Sequence, residues 1–168
     1  KPPTMPAKDA SASTASRLFI MWGALSLADT RGLPILSYSL EMDDGTGGEF
    51  NALTGLSADS LGVSYLILAG ISKGATYRFR YRARNEYGWG AYSDTATILA
   101  AQVPSAPVNA PVISSVGDTE MTLTISLDID DGGAPIDAVK LEMAAGLTSD
   151  VFSEIDLSVL EARGDKIE

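Results

Sequence analysis

Apolar and polar residues alternate along several short segments of the chain, with the period of two that is typical of β-strands. In the first half the alternating positions are Leu18, Ile20 and Trp22; Tyr38, Leu40 and Met42; Tyr77, Phe79, Tyr81 and Ala83; and Thr95, Thr97 and Leu99. A further, continuously apolar strand is predicted from Tyr65 to Ala69. About seven short strands within about 100 residues, separated by turns, predict an all-β protein with a two-sheet antiparallel sandwich.

An internal repeat with an offset of 101 residues relates three segments of the first half to three of the second. The pairs are Pro3-Thr4-Met5-Pro6 with Pro104-Ser105-Ala106-Pro107, Gly32-Leu33-Pro34-Ile35 with Gly133-Ala134-Pro135-Ile136, and Leu40-Glu41-Met42 with Leu141-Glu142-Met143. These matches indicate tandem homologous domains. We predict a linker from a preceding repeat (1–9), a first domain (10–101), a Pro-rich, semi-rigid linker (102–111) and an incomplete second domain (112–168).

The first domain carries a combination of residues that resembles fibronectin type III repeats. Trp22 stands where that family keeps its core tryptophan, and residues 32–35 resemble the approach to its third strand. Residues 71–77 resemble the turn that ends in the family's buried tyrosine, whose hydroxyl bonds upstream backbone. The resemblance covers about residues 7–100 and implies tandem immunoglobulin-like antiparallel β-sandwiches. The predicted core aromatics are Trp22, Tyr38, Tyr77, Phe79 and Tyr81.

The second domain departs from this pattern. Its predicted second strand, residues 121–127, has no tryptophan, and at an offset of 102 Phe152 aligns with Phe50 and Ile167 with Tyr65. The sequence therefore contains about the first four strands of the repeat and ends where the fifth begins. Because the third strand of the family pairs with the sixth, a long edge would stay unpaired. A shortened chain and incomplete tracing are favoured as explanations over completion by strands from a neighbouring molecule.

The net charge of −10 is distributed unevenly between the two halves. Residues 1–101 carry nine basic and nine acidic residues, whereas residues 102–168 carry three basic and thirteen acidic residues. Because an acidic half repels phosphate backbones, a nucleic-acid partner is not expected. Attraction between the acidic half of one molecule and the arginines of the next suggests a head-to-tail assembly that high salt should dissociate.

Four arginines alternate with the predicted buried row on one strand, so the period of two places them together on the solvent face. They are Arg78, Arg80, Arg82 and Arg84. In the favoured, internal interpretation, Glu41 and the rings of Trp89 and Tyr92 compensate the crowded charges, and this arrangement loosely resembles the WSxWS motif of cytokine-receptor domains. In the alternative interpretation, the arginines and the two rings bind an acidic polysaccharide or an acidic protein surface.

Cysteine and histidine are both absent, which removes disulfides, thiolate metal sites and the commonest general base. We predict no catalytic residue, no cofactor and no metal. The cluster Asp128, Asp130 and Asp131 lacks the spacing of an EF-hand and is interpreted as a solvated turn. Arg163-Gly164-Asp165 matches the integrin-recognition tripeptide, but it precedes the predicted fifth strand and is interpreted as a coincidence.

The resemblance implies a non-enzymatic, structural and adhesive segment of a larger repeat protein, displayed outside the cell. Its partners are expected to be other repeats or neighbouring copies, with acidic polysaccharide or protein as further candidates. No apolar stretch is long enough to cross a bilayer, so no membrane insertion by this segment is predicted. The alternative is a ligand-binding module of a receptor or an accessory module of a secreted enzyme.

Overall fold

The computed structural model of the chain is all-β and describes residues 3–118, 121–126, 129–144, 146, 151–155, 162–163 and 166–167. It divides into two compact units. The first consists of Lys1–Gln102 and Gly132–Ala134, and the second consists of Val103–Asp131 and Pro135–Glu168. In these described ranges no helix is long and apolar enough to span a membrane.

Eight strands, all paired antiparallel, build the first unit. They are β1 (Ala7–Lys8), β2 (Leu18–Met21), β3 (Ser37–Met42), β4 (Asn51–Thr54), β5 (Ser64–Ile67), β6 (Thr76–Asn85), β7 (Gly88–Trp89) and β8 (Ala96–Leu99). One sheet has the order β1-β2-β5, and the other has the order β4-β3-β6-β7, with β8 also paired to β6. The third strand thus pairs with the sixth, as the resemblance implied, and Leu40 lies opposite Tyr81.

The core of the first unit is formed by alternate residues of both sheets, because successive side chains of a strand point to opposite faces. All five predicted core aromatics are buried, and Phe79 and Tyr81 are completely enclosed. The Trp22 and Tyr81 ring centroids lie 5.7 Å apart, and those of Tyr38 and Tyr81 lie 6.3 Å apart. The buried phenols are also satisfied, since the Tyr81 hydroxyl donates to the Gly23 carbonyl at 3.0 Å.

The turn before β6 is closed by a tyrosine, as the resemblance implied. The Tyr77 ring is buried in the core. Its hydroxyl donates to the Gly70 carbonyl at 3.1 Å and accepts from the Ser72 backbone N–H at 2.8 Å. Two backbone groups of the turn are therefore held by one side chain, which confirms the predicted tyrosine corner.

Two details of the first unit differ from the sequence-based prediction. Residues 7 and 8, assigned to the linker, form β1, and Ala7 pairs with Met21. The last strand was outlined by Thr95, Thr97 and Leu99, but the inward residues of β8 are Ala96 and Ile98. Directly paired residues of antiparallel strands point to the same face, and these two lie opposite the inward-facing residues of β6.

Strand β3 is buried on its outer face as well. Ser37 Oγ donates to the Gly55 carbonyl and accepts from the Ser60 N–H, both at 3.0 Å. Gly55 has a φ of 79°, and a Cβ at this position would stand only 1.7 Å from the Tyr38 carbonyl oxygen. The chain after β4 can therefore approach β3 this closely only with glycine at position 55.

The second unit contains short strands in its described residues. They are β9 (Val112–Val116), β10 (Met121–Ser126), β11 (Glu142–Ala144), β12 (Phe152–Glu154), β13 (Ala162–Arg163) and β14 (Lys166–Ile167). One sheet has the order β13-β14-β10-β9, and β11 pairs with β12. Ile167 lies opposite Ile125 much as Tyr65 lies opposite Ile20, so β14 takes the place predicted for the fifth strand. Of the apolar side chains in β10, Ile125 is buried.

Candidate functional site: an arginine–aromatic ladder

The register of β3 and β6 brings the predicted site residues to one face. Arg80 lies directly opposite Glu41, Arg82 opposite Ser39 and Arg84 opposite Ser37. Because the inward residues of β6 are the core aromatics, its arginines project from the outer face of the sheet. Their side chains are nevertheless only 21–35% exposed. Other groups therefore cover most of each arginine side chain.

Each of the four arginines pairs with a carboxylate of the same unit, and Glu41 is shared by two of them. Glu41 is 5% exposed, and its Oε2 accepts from Nε and Nη2 of Arg80 at 2.9 and 2.8 Å. Its Oε1 lies 3.7 Å from Nη2 of Arg82. The same oxygen accepts a hydrogen bond of 2.6 Å from the Tyr92 hydroxyl. One buried carboxylate thus joins two arginines and a phenol, and it fixes their relative positions.

The two outer arginines have their own acidic partners. Arg78 Nε donates to Asp43 Oδ2 at 2.7 Å, and its backbone N–H donates to Asp43 Oδ1 at 2.8 Å. Arg84 Nη2 donates to both carboxylate oxygens of Asp59, at 2.5 and 2.7 Å. Asp43 is almost completely buried, whereas the Asp59 side chain is 59% exposed. The Arg78 pair is therefore expected to contribute more to stability than the Arg84 pair.

Aromatic rings alternate with the guanidinium groups along the sheet. Arg80 lies between Phe50 and Tyr92, with its Cζ 4.1 and 3.9 Å from their ring centroids. Arg82 lies between Tyr92 and Trp89, at 4.5 and 4.9 Å. Rings above and below a guanidinium attract it through their quadrupoles, at about 0.5–2 kcal/mol per contact. The stack therefore offsets the repulsion between neighbouring arginines.

The ends of this stack are looser than its centre. Arg84 Cζ lies 5.7 Å from the Trp89 centroid, and Arg78 Cζ lies 5.1 Å from the Phe50 centroid. In the centre, Arg82 Nε is buried and has no hydrogen-bond partner among the described residues. Its charge is instead stabilised by the two rings and by Glu41. We refer to the four arginines, Phe50, Trp89, Tyr92, Glu41, Asp43 and Asp59 as the ladder.

The electrostatics of the ladder shift two pKa values. Burial alone raises the pKa of Asp43, but hydrogen bonds from the Arg78 backbone and guanidinium and from the Gly45 N–H outweigh burial, so the pKa falls below its ordinary value. The pKa of Tyr92 is raised, first by burial and then by its hydrogen bond to Glu41. Asp43 is thus held as a carboxylate and Tyr92 as a neutral phenol.

The structure places all six predicted binding residues in the ladder and adds three that sequence reasoning missed. The missed residues are Phe50, Asp43 and Asp59. Asp43 continues the alternation of Tyr38, Leu40 and Met42 on the opposite face, together with Glu41, so the strand pattern contained a sign of its role. Phe50 and Asp59 are brought to β6 by tertiary structure, and no local pattern marks them.

Other candidate sites are only partly within the described residues. In that part of the chain, no group of three or more carboxylate, histidine or cysteine side chains is placed to hold a metal ion. Asp128 of the predicted solvated turn lies outside the described residues. Of the Arg163-Gly164-Asp165 tripeptide, Arg163 belongs to β13, and the other two residues lie outside the described residues.

The chain is similar to several solved structures. No protein-family model matches the chain. The sixth fibronectin type III domain of human fibronectin type III domain containing protein 3 has 23% identity and a TM-score of 0.49 over 66% of this chain and 92% of that domain. Titin module A71 from human cardiac muscle has 24% identity and a TM-score of 0.46, over 58% of this chain and 89% of that module. The twitchin kinase region from C. elegans has 21% identity and a TM-score of 0.43, over 60% of this chain and 17% of that chain.

The strand order and the tyrosine corner define the class of the protein. The chain is all-β, and its first unit is a fibronectin type III-like sandwich.

Proposed function

We propose that this chain is a non-enzymatic structural and adhesive segment of a repeat protein displayed outside the cell. The observation that carries this proposal is that each arginine pairs with a carboxylate of its own unit. Their guanidinium groups are bonded to Glu41, Asp43 and Asp59 and enclosed by rings, so the ladder braces the outer face of a sheet. A braced sandwich followed by a Pro-rich segment suits a semi-rigid spacer that presents its remaining surface to partners.

Replacement of Arg80 and Arg82 by alanine distinguishes a stabilising role of the ladder, called here a brace, from a role in binding an anionic ligand. If the ladder is a brace, the double variant loses stability, because Glu41 stays buried without its cations and the rings lose their partners. Urea unfolding followed by tryptophan fluorescence measures this loss, since Trp22 and Trp89 both lie in the first unit. If the ladder is instead a receptor, the double variant stays folded and loses binding to an acidic polysaccharide.

The matched control removes the same charge without touching the ladder. Arg17 and Arg31 are exposed arginines of the first unit, and their double alanine variant lowers the net charge equally. Retention of all three proteins on a heparin column is then compared. Loss of heparin binding in the folded Arg80/Arg82 variant alone would establish the alternative, a ligand-binding module, and would refute the brace.

The proposed assembly of successive molecules has its own test. Residues 102–168 carry thirteen acidic and three basic residues, so attraction between this half and the basic side chains of a neighbouring copy should be strongest at low salt. Sedimentation velocity at low salt and at about 0.5 M NaCl measures this dependence, because the Debye length falls severalfold between such conditions. Association that persists unchanged at high salt would rule out a charge-driven contact.

A further inference from the structure

A cleft of about 360 Å³ lies between two loops of the first unit. One wall comes from the segment between β2 and β3, including Leu25, Thr30 and Ile35. The other wall comes from the hairpin of β6 and β7, including Tyr87 and Trp89. The cleft is large enough for a few residues of an extended peptide.

The chemistry of the lining restricts its ligand. Tyr87 is 83% exposed and lines the cleft together with Trp89, whose ring also contacts Arg82 and Arg84. Among the described residues that line the cleft, Asp29 is the one with a charged side chain. An anionic ligand is therefore disfavoured, and a neutral ligand with flat apolar surfaces is favoured.

Two segments of the chain itself have the chemistry of such a ligand, because each contains two prolines. Pro3 is buried and lines the cleft, and Pro6, three residues later, is fully buried. The same Pro-x-x-Pro pattern returns at Pro104 and Pro107, where both prolines are exposed. Ser105 bonds the Asp130 backbone through its own N–H and its Oγ, which leaves the two proline rings unengaged by these bonds.

The linker of the same molecule cannot reach this cleft. Leu99 pairs with Thr76, at the end of β6 opposite to Asn85, which lines the cleft. The nine steps from residue 76 to residue 85 span about 30 Å of strand. The five residues from Leu99 to Pro104 reach about 18 Å at full extension, so the two prolines of the linker cannot occupy the cleft together. An occupant with the sequence of residues 103–107 must therefore come from another molecule.

We propose that this cleft binds an extended Pro-x-x-Pro segment, and that its occupant is residues 103–107 of a second copy of the chain. Proline rings pack against aromatic side chains, and a preformed polyproline II segment loses little entropy on binding. Because the cleft and the linker are different surfaces, the contact is heterologous and joins copies head to tail. This inference goes beyond the proposed spacer role, and it adds a contact that does not depend on charge.

A peptide titration tests the site. A synthetic peptide with the sequence of residues 101–109 is added to the ¹⁵N-labelled full chain, and chemical shifts are followed. We expect saturable shifts at the Trp89 indole and at residues of the β6–β7 hairpin. The Tyr87→Ala variant should weaken binding about tenfold, as expected for loss of a central aromatic contact. Leu68→Ala, at a 70% exposed position outside the cleft lining, is the matched control and should bind normally.

Self-association of the full chain tests the occupant. Sedimentation velocity at about 0.5 M NaCl, where charge-driven contacts are screened, should still show concentration-dependent association, and this remaining association should be lost in the Pro104→Ala/Pro107→Ala variant. Absence of saturable shifts at millimolar peptide, shifts confined to other surfaces, or equal affinity of the Tyr87 and Leu68 variants would overturn the proposal. Saturable binding of a neutral oligosaccharide at the cleft without peptide binding would assign a glycan site and equally overturn it.

Discussion

Neutralisation of Glu41 is the sharpest test of the ladder as a stabilising device. The Glu41→Gln variant keeps the size of the side chain but removes its charge and replaces one acceptor oxygen with an NH2 donor. The carboxylate is buried and accepts three short hydrogen bonds, two from Arg80 and one from Tyr92. Arg82, 3.7 Å away, loses its closest negative charge as well. The substitution thus leaves adjacent guanidinium groups without their shared anion.

The expected cost follows from these contacts. A hydrogen bond to a charged group contributes about 1.5–3 kcal/mol and a neutral one about 0.5–1.5 kcal/mol, so neutralisation costs about 1 kcal/mol per bond. Three bonds give about 3 kcal/mol, and because the Arg80 side chain is 30% exposed, screening by water reduces the net effect to about 2 kcal/mol. In a domain of this size, that loss lowers Tm by about 8–16 °C.

Urea unfolding of the full chain at pH 7, followed by tryptophan fluorescence, measures the free energy of unfolding of the first unit. Asp59→Asn is the matched control, because Asp59 also pairs with a ladder arginine but is 59% exposed, and its loss should cost less than about 1 kcal/mol. A Glu41→Gln/Arg80→Gln double variant should cost less than the sum of the single variants. A cost below about 0.5 kcal/mol for Glu41→Gln, or strict additivity, would refute the reasoning.

Three further substitutions test the surrounding fold. Tyr77→Phe should cost about 1–3 kcal/mol in urea unfolding, because the Ser72 N–H and the Gly70 carbonyl lose their partner. Gly55→Ala should cost more than about 3 kcal/mol by the same assay, since its Cβ meets backbone at 1.7 Å; a milder effect would contradict the close approach. The lowered pKa of Asp43 stabilises the fold above the unfolded value of about 3.9, and this stability is lost as pH falls through the folded pKa. Tm measured by circular dichroism should therefore depend less on pH below about 4 in Asp43→Asn than in the native chain, and equal slopes would exclude this role.

Much of the first unit could be predicted from the sequence because its strands obey a single rule. Inward residues of β6 are aromatic or apolar and outward ones are arginine, so a period of two identified both the strand and its buried face. Tyr77 added a second constraint, since a tyrosine at that turn has a specific hydrogen-bonding role. The buried face of strand β8 was harder to predict. Its sequence, Ala-Thr-Ile-Leu, places residues that can be buried on both faces, so periodicity alone could not decide between them.

The partners in the ladder were harder to predict because they depend on register and on loop paths. Glu41 was identified as a partner because it lies on the neighbouring strand, and the register places it opposite Arg80. Phe50 reaches the ladder only because the chain turns back after β3, with an irregularity in the β3–β4 register at Leu40 and Glu41. Asp59 lies in a loop, so its pairing with Arg84 is a purely tertiary event. The alternation of residues along one strand cannot predict contacts that depend on the paths of distant loops.

The repeated Leu-Glu-Met segment shows why sequence identity alone did not fix the electrostatic role of the glutamate. In the first unit Glu41 is buried and paired with arginines of β6. In the second unit Glu142 is 45% exposed and pairs with Lys140 at 2.8 Å, and the hydrogen bonds that this lysine donates to Glu142 and Glu154 raise its pKa. The same residue at the same strand position thus forms a screened surface pair in one unit and the centre of a buried network in the other. What differs is the arginine-bearing strand beside it, which has no counterpart among the described residues of the second unit. The ladder is therefore a property of the β3–β6 pair rather than of β3, and its stabilising effect is expected only where both strands are present.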